Sequence, residues 1–167
     1  MALKVGLVGL RGIGDNHANC HSKDPLSQLV AVCDVVKKRA DDAAAKYHTK
    51  AYYSLTEMLR NEPLDIVDVT TGGYENGSWH FEPAMQALEA GKHVLVEKPL
   101  SNDVGEARQM WAKSVEKNLY LGCNLNHYFT PPAEKAKEYM AQGQIGELVY
   151  CLHKMGFSAG ELNYKPG

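Results

Sequence analysis

Apolar residues recur along the chain in two alternating patterns, short near-continuous runs and stripes at helical spacing. The runs are Lys4–Val8, Leu29–Asp34, Ala51–Tyr53, Ile66–Thr70, His93–Glu97 and Leu119–Cys123. Runs of this kind predict strands covered on both faces. Between them Ala40, Ala43, Ala44 and Tyr47 fall at i, i+3, i+4 and i+7, as do Phe81, Ala84, Met85 and Leu88. That spacing gives a helix one apolar face to lay on a sheet. Strand followed by helix, repeated, is the sign of βαβ units, so the fold class expected is α/β, a doubly wound parallel sheet.

The helix ends are also readable. Ser54-Leu-Thr-Glu57 is a capping-box pattern opening a short helix. Pro83 sits in the first turn of the Phe81 helix and Gly91 just past its end. A further helix is predicted over Asp103–Lys117, with Asp103 and Glu106 in its first turn. After Thr130 and Pro131 another runs to Gln142 and stops at Gly143. Glu147–Phe157 reads as a strand with no following helix, the expected opening of a second domain. The predicted division is residues 1–124 for the α/β domain and 125–167 for a helix and the start of that second domain. So apolar a strand would leave both edges unpaired. It is expected to pair with the same strand of a second copy, which makes a homo-oligomer.

Composition narrows the function. At 167 residues the chain suits one domain. Eighteen lysines and arginines against 20 acids give 18 − 20 = −2, which argues against nucleic acid as a partner. No apolar run approaches the roughly 18 residues of a membrane span, so no membrane association is expected. Met1–Lys4 leads directly into a strand pattern, with no signal-peptide signature. Cys20, Cys33, Cys123 and Cys151 form no CxxC pair, which favours a reduced, cytoplasmic compartment.

The most informative segment is Lys4-Val-Gly-Leu-Val-Gly-Leu-Arg-Gly-Ile-Gly14, a strand running into glycines and then a helix. This is the layout of a Rossmann phosphate-binding turn. One glycine makes the tight turn, a second admits the pyrophosphate, and a third lets helix and strand pack closely. Gly9 fits the first position and Gly14 the third, while Arg11 stands in the second with Gly12 beside it. The helix start at Ile13 would offer N–H donors to the phosphates. Asp34 closes the second strand, 20 residues after Gly14, where a carboxylate can accept from ribose hydroxyls and repel a 2′-phosphate. NAD is therefore the expected cofactor. Lys37, Lys38 and Arg39 just beyond could tolerate that phosphate and so admit NADP, although they read first as a solvated helical turn.

The stretch His80–Leu100, HFEPAMQALEAGKHVLVEKPL, closely resembles the Gfo/Idh/MocA (glucose-fructose oxidoreductase/inositol dehydrogenase) family. GLVGLRGIGDNHA, VAVCD and NLNHYFTP extend the match over nearly the whole chain. The resemblance implies a nicotinamide-dependent oxidoreductase acting by hydride transfer on a small sugar, polyol or cyclitol. It also implies a Rossmann domain followed by an α+β domain that this chain only begins. Glu97-Lys98-Pro99 matches the family's EKP motif, with a cis Lys98–Pro99 bond expected. Lys98, at the end of a central strand, is the expected catalytic group, able to hold and polarise a substrate oxygen. Thr70, Thr71, Glu97 and Lys98 join Gly9, Arg11, Gly12, Ile13, Gly14 and Asp34 as expected cofactor contacts.

The chain departs from the family pattern in Arg11, in Tyr128 where an arginine is common, and in the loop Thr71-Gly-Gly-Tyr-Glu-Asn-Gly-Ser-Trp-His80. That loop is longer and lacks the usual Pro-Asn. It leaves His80 as either a second catalytic residue or a neighbour of the helix cap. Tyr74 and Trp79 are candidate contacts for nicotinamide or substrate. The proton acceptor that the family draws from its second domain has no counterpart here, so the chain alone is expected to be inactive. A non-catalytic dinucleotide-binding or scaffold module is the alternative. His17, Cys20 and His21 lack the second ligand pair of a structural metal site, and His17 is expected to pack behind the glycine turn. Asp68, inside a strand, reads as a hydrogen-bonded structural carboxylate.

Overall fold

A computed structural model describes residues 2–75 and 77–152. These divide into two compact units, with the boundary after Leu125. In the first unit strands and helices alternate: β1 (Leu3–Val8), α1 (Ile13–Lys23), β2 (Ser27–Cys33), α2 (Lys37–Tyr47), β3 (Lys50–Tyr52), α3 (Leu55–Asn61), β4 (Ile66–Val69), α4 (Phe81–Glu89), β5 (His93–Glu97), α5 (Val104–Glu116) and β6 (Leu121–Asn124). The six strands form one sheet in the order β3-β2-β1-β4-β5-β6, and every pairing is parallel. The expected doubly wound Rossmann-type sheet is therefore present. Its order reverses between β1 and β4, which opens a crevice at their carboxyl ends.

Alternation along each strand loads both faces. Leu7 and Val32 pack with Ala18, Ala40, Ala43 and Ala44 of α1 and α2. Their chain neighbours Val8, Ala31 and Cys33 join Met58, Leu88 and Met110 of α3, α4 and α5 on the other face. Small alanines on α2 bring that helix close to the sheet, and the wider residues of α3 to α5 fill the opposite layer. Asp68 is the exception within β4. It lies between Val67 and Val69 and so faces α1, fully buried.

Helix ends follow their signals with two differences. Asp103 stands just ahead of α5 rather than in its first turn, and its Oδ1 accepts the Glu106 N–H at 2.9 Å. Ser54 precedes α3, but its side chain makes no capping bond. In the second unit a 3₁₀ turn, Asn126–Phe129, leads to α6 (Pro131–Ala141). Thr130 precedes that helix, with proline in its first turn. The strand expected over Glu147–Phe157 does not appear in its described part, Glu147–Leu152, and Met155 and Phe157 lie outside the described residues. Among the described residues no helix is long and apolar enough to cross a membrane.

Candidate functional site

The turn between β1 and α1 is built by contact geometry that only glycine permits. Gly9 has φ +95°, and a Cβ there would come within 2.7 Å of the Thr70 and Thr71 backbone. A Cβ on Gly14 would overlap the Gly9 carbonyl oxygen and reach 2.9 Å from Thr70 Oγ1. The Thr70 hydroxyl closes the arrangement by donating to the Gly9 carbonyl at 2.6 Å. The start of α1 is thus pressed against the ends of β1 and β4. Arg11, in the position of the second glycine, is exposed and lines the crevice, and a Cβ at Gly12 beside it would meet nothing within 4 Å.

Asp34 is buried at the end of β2 and holds the turn from the other side. Its Oδ2 accepts the Leu10 N–H at 2.9 Å and its Oδ1 the Val36 N–H at 2.8 Å. Arg39 Nη1 lies 3.6 Å from the same carboxylate. An ionised carboxylate accepts about four hydrogen bonds, so two acceptor sites remain for ribose hydroxyls. The neighbouring Cys33 thiol is pushed up to about 12 by burial and then by the Asp34 charge, which leaves it un-ionised and inert.

These groups border a cleft of about 820 Å³. Of the expected cofactor residues, Gly9, Arg11, Asp34, Thr70 and Thr71 line it. Gly12, Ile13 and Gly14 form the adjoining start of α1. Glu97 and Lys98 are not among its lining residues. Lys98 is exposed at the end of β5, before a cis bond to Pro99. The Glu97 carboxylate turns inward instead. Its Oε1 accepts from Asn124 Nδ2 at 2.5 Å and lies 3.2 Å from His17 Nε2, while its Oε2 accepts the Lys98 N–H at 3.0 Å.

His80 is buried to 2% exposure. Its Nδ1 lies 2.7 Å from the Pro99 carbonyl oxygen and its Nε2 2.7 Å from that of Thr71. Both ring nitrogens are thereby occupied, and the side chain braces the loop after β4 against the turn after β5. Neither nitrogen is free for a substrate.

Sequence reasoning missed one assembly. His17 Nδ1 lies 2.8 Å and His21 Nε2 2.9 Å from Asp68 Oδ2, and His17 reaches on to Glu97 and Asn124. Burial alone would pull His17 down, but hydrogen bonding and the charges of Asp68 and Glu97 outweigh it, so its pKa is raised. Burial works against the Asp68 charge too, yet the two histidines hold its pKa below the ordinary value. The polar Asp68 in an apolar run was the available signal. Its partners lie 51 and 47 residues away, beyond any local pattern.

A parallel sheet with a glycine-lined helix start at its switch point, and an acid closing the next strand, defines a dinucleotide-binding α/β domain. The chain belongs to the Gfo/Idh/MocA family, an oxidoreductase family with an NAD-binding Rossmann fold, whose sequence model matches residues 3–125. The mouse trans-1,2-dihydrobenzene-1,2-diol dehydrogenase is 30% identical over 97% of this chain and 48% of its own length. The Escherichia coli D-glucoside 3-dehydrogenase is 29% identical over 87% of the chain and 41% of its own length. The structure of scyllo-inositol dehydrogenase from Lactobacillus casei, with bound NAD(H) and scyllo-inositol, superimposes with a TM-score of 0.79. That match has 26% identity and covers 88% of this chain and 43% of the other. The chain therefore spans less than half the length of these relatives.

Proposed function

We propose that this chain is the NAD(H)-binding part of an oxidoreductase that moves a hydride between nicotinamide and a carbinol carbon of a hydroxylated ring. The observation that carries the reading is the pairing of the Gly9–Gly14 cradle with the Asp34 carboxylate on one cleft, since that combination fits a pyrophosphate and an unphosphorylated ribose. When bound, the cofactor supplies the hydride acceptor. The turn Leu10–Ile13, set between Gly9 and Gly14, holds the pyrophosphate, Asp34 the adenosine ribose, and Arg11 adds a cation beside the phosphates. Lys98 holds the substrate oxygen at the end of β5 through its ammonium group. His80 acts as a positioning residue, fixing the Thr71 and Pro99 backbones on either side of the crevice.

The ring-bearing substrates in the relatives' names support the substrate class. Oxidation of a hydroxyl also needs a proton acceptor, and this reading places it in the part of the relatives' length that the chain does not span. The four free cysteines support a reducing, cytoplasmic setting. Isothermal titration of the chain with NAD(H) and NADP(H) tests the reading. Binding of NAD(H) in preference to NADP(H), with no dehydrogenase turnover by the chain alone, is expected. Failure to bind either at millimolar concentration turns the assignment to a scaffold module.

A further inference from the structure

The cleft carries apolar surface that phosphate binding does not need. Val35 is 87% exposed and Trp79 51%, yet both line it. They belong to opposite sides of β1, because Val35 follows β2, Trp79 follows β4, and these two strands flank β1 in the sheet. Large exposed apolar groups around a concave site are the ordinary lining of a ligand pocket.

Trp79 is also held in place. Thr71 Oγ1 donates to its carbonyl at 2.6 Å, and the Tyr74 ring meets the indole edge-on at a centroid distance of 5.3 Å and an angle of 77°. Ser78, which lines the same cleft, has a buried hydroxyl with no partner among the described residues. Two features orient a dinucleotide in this space. Asp34 takes the adenosine ribose next to the glycine turn, and Lys98, at the end of β5, is not among the lining residues. The space beyond Asp34 is therefore the base end of the adenosine half.

We propose that Trp79 is the aromatic wall of the adenine subsite, with the purine lying between its indole and Val35. This deepens the NAD reading and rests on it. Every purine presents a π-face, and stacking on an aromatic side chain strengthens binding by about fivefold to more than a hundredfold per base. The Thr71 bond fixes the Trp79 backbone and the Tyr74 ring braces the indole before the base arrives, so less side-chain ordering opposes the gain.

Trp79 and Trp111 are the chain's two tryptophans, and Trp111 is exposed on α5, away from the cleft lining. In a Trp111→Phe background the emission of Trp79 is read alone while AMP or NADH is added. AMP does not absorb the emitted light, so quenching by AMP reports contact rather than energy transfer. The proposal expects quenching by both. It also expects Trp79→Ala to weaken AMP and NADH at least about fivefold by calorimetry, with Trp79→Phe restoring most of the loss. If the unmodified chain binds NADH and Trp79→Ala binds AMP and NADH equally well, the aromatic wall is wrong and the NAD reading stands. If the unmodified chain binds neither ligand, the NAD reading itself is wrong and the adenine subsite falls with it.

Discussion

Replacing Asp68 with asparagine keeps the shape of a fully buried side chain and removes its charge. The carboxylate is held by His17 at 2.8 Å and His21 at 2.9 Å, both on Oδ2. Hydrogen bonds to an ionised group contribute about 1.5–3 kcal/mol each and neutral ones about 1 kcal/mol. Asparagine can still accept from both rings through its carbonyl, so each bond loses about 0.5–2 kcal/mol. A second cost arises on the other side. Asp68 Oδ1 is buried and has no partner among the described residues, and the amide NH₂ would take its place as an unsatisfied donor. The two bonds together lose about 1–4 kcal/mol and the unsatisfied donor adds about 1–3, an expected destabilisation of about 2–7 kcal/mol, a large share of a domain's total.

The cost depends on pH in a defined sense. The His17 pKa is raised in the fold, so its contribution is complete below its unfolded value near 6.5 and disappears as pH rises through the folded value. The Asp68 pKa is lowered, so its contribution is present above 3.8 and disappears only as pH falls through the folded value. Between these limits imidazolium and carboxylate coexist and the substitution costs most. Urea denaturation of parent and Asp68→Asn at about pH 5.5 and about pH 9 measures this. The penalty is expected to shrink as pH rises and His17 gives up its proton, which leaves the unsatisfied amide and the weaker hydrogen bonds. A penalty below about 0.5 kcal/mol at pH 5.5, or one that grows towards pH 9, would refute the ion-pair account.

Two other expectations are accessible to simple assays. Asp34→Ala should cut the NAD:NADP affinity ratio about tenfold or more, through lost ribose bonds and relieved repulsion of a 2′-phosphate, measured by parallel calorimetric titrations. An unchanged ratio means Asp34 only braces the Leu10 and Val36 amides. Light scattering of the full chain and of a version ending at Gly146 tests the homo-oligomer expectation. A dimer that becomes a monomer on truncation supports self-pairing through the tail, and monomers in both cases remove it.

Comparison of these elements with their sequence signals shows what kind of information was local. The strands at Ile66, His93 and Lys4 were legible because burial on both faces forces a continuous apolar run, and the glycine turn because its backbone geometry admits only glycine at Gly9 and Gly14. The Asp34 position was legible for the same reason, since strand length and helix length fix its separation from the turn. Glu97 and His80 were harder. Their places in the chain were readable, but the direction of each side chain depends on groups far away in sequence. Asn124, 27 residues on, turns Glu97 inward, and the Pro99 carbonyl takes His80 Nδ1.

The tail shows the same limit for backbone structure. The apolar run Leu148–Leu152, with Met155 and Phe157 beyond it, marks surface that a strand would bury, but a strand also needs another strand's amides and carbonyls. In β1 those come from β2 and β4, both within the chain. Glu147–Leu152 takes no strand conformation. A hydrophobic pattern can therefore specify a face without specifying a structure.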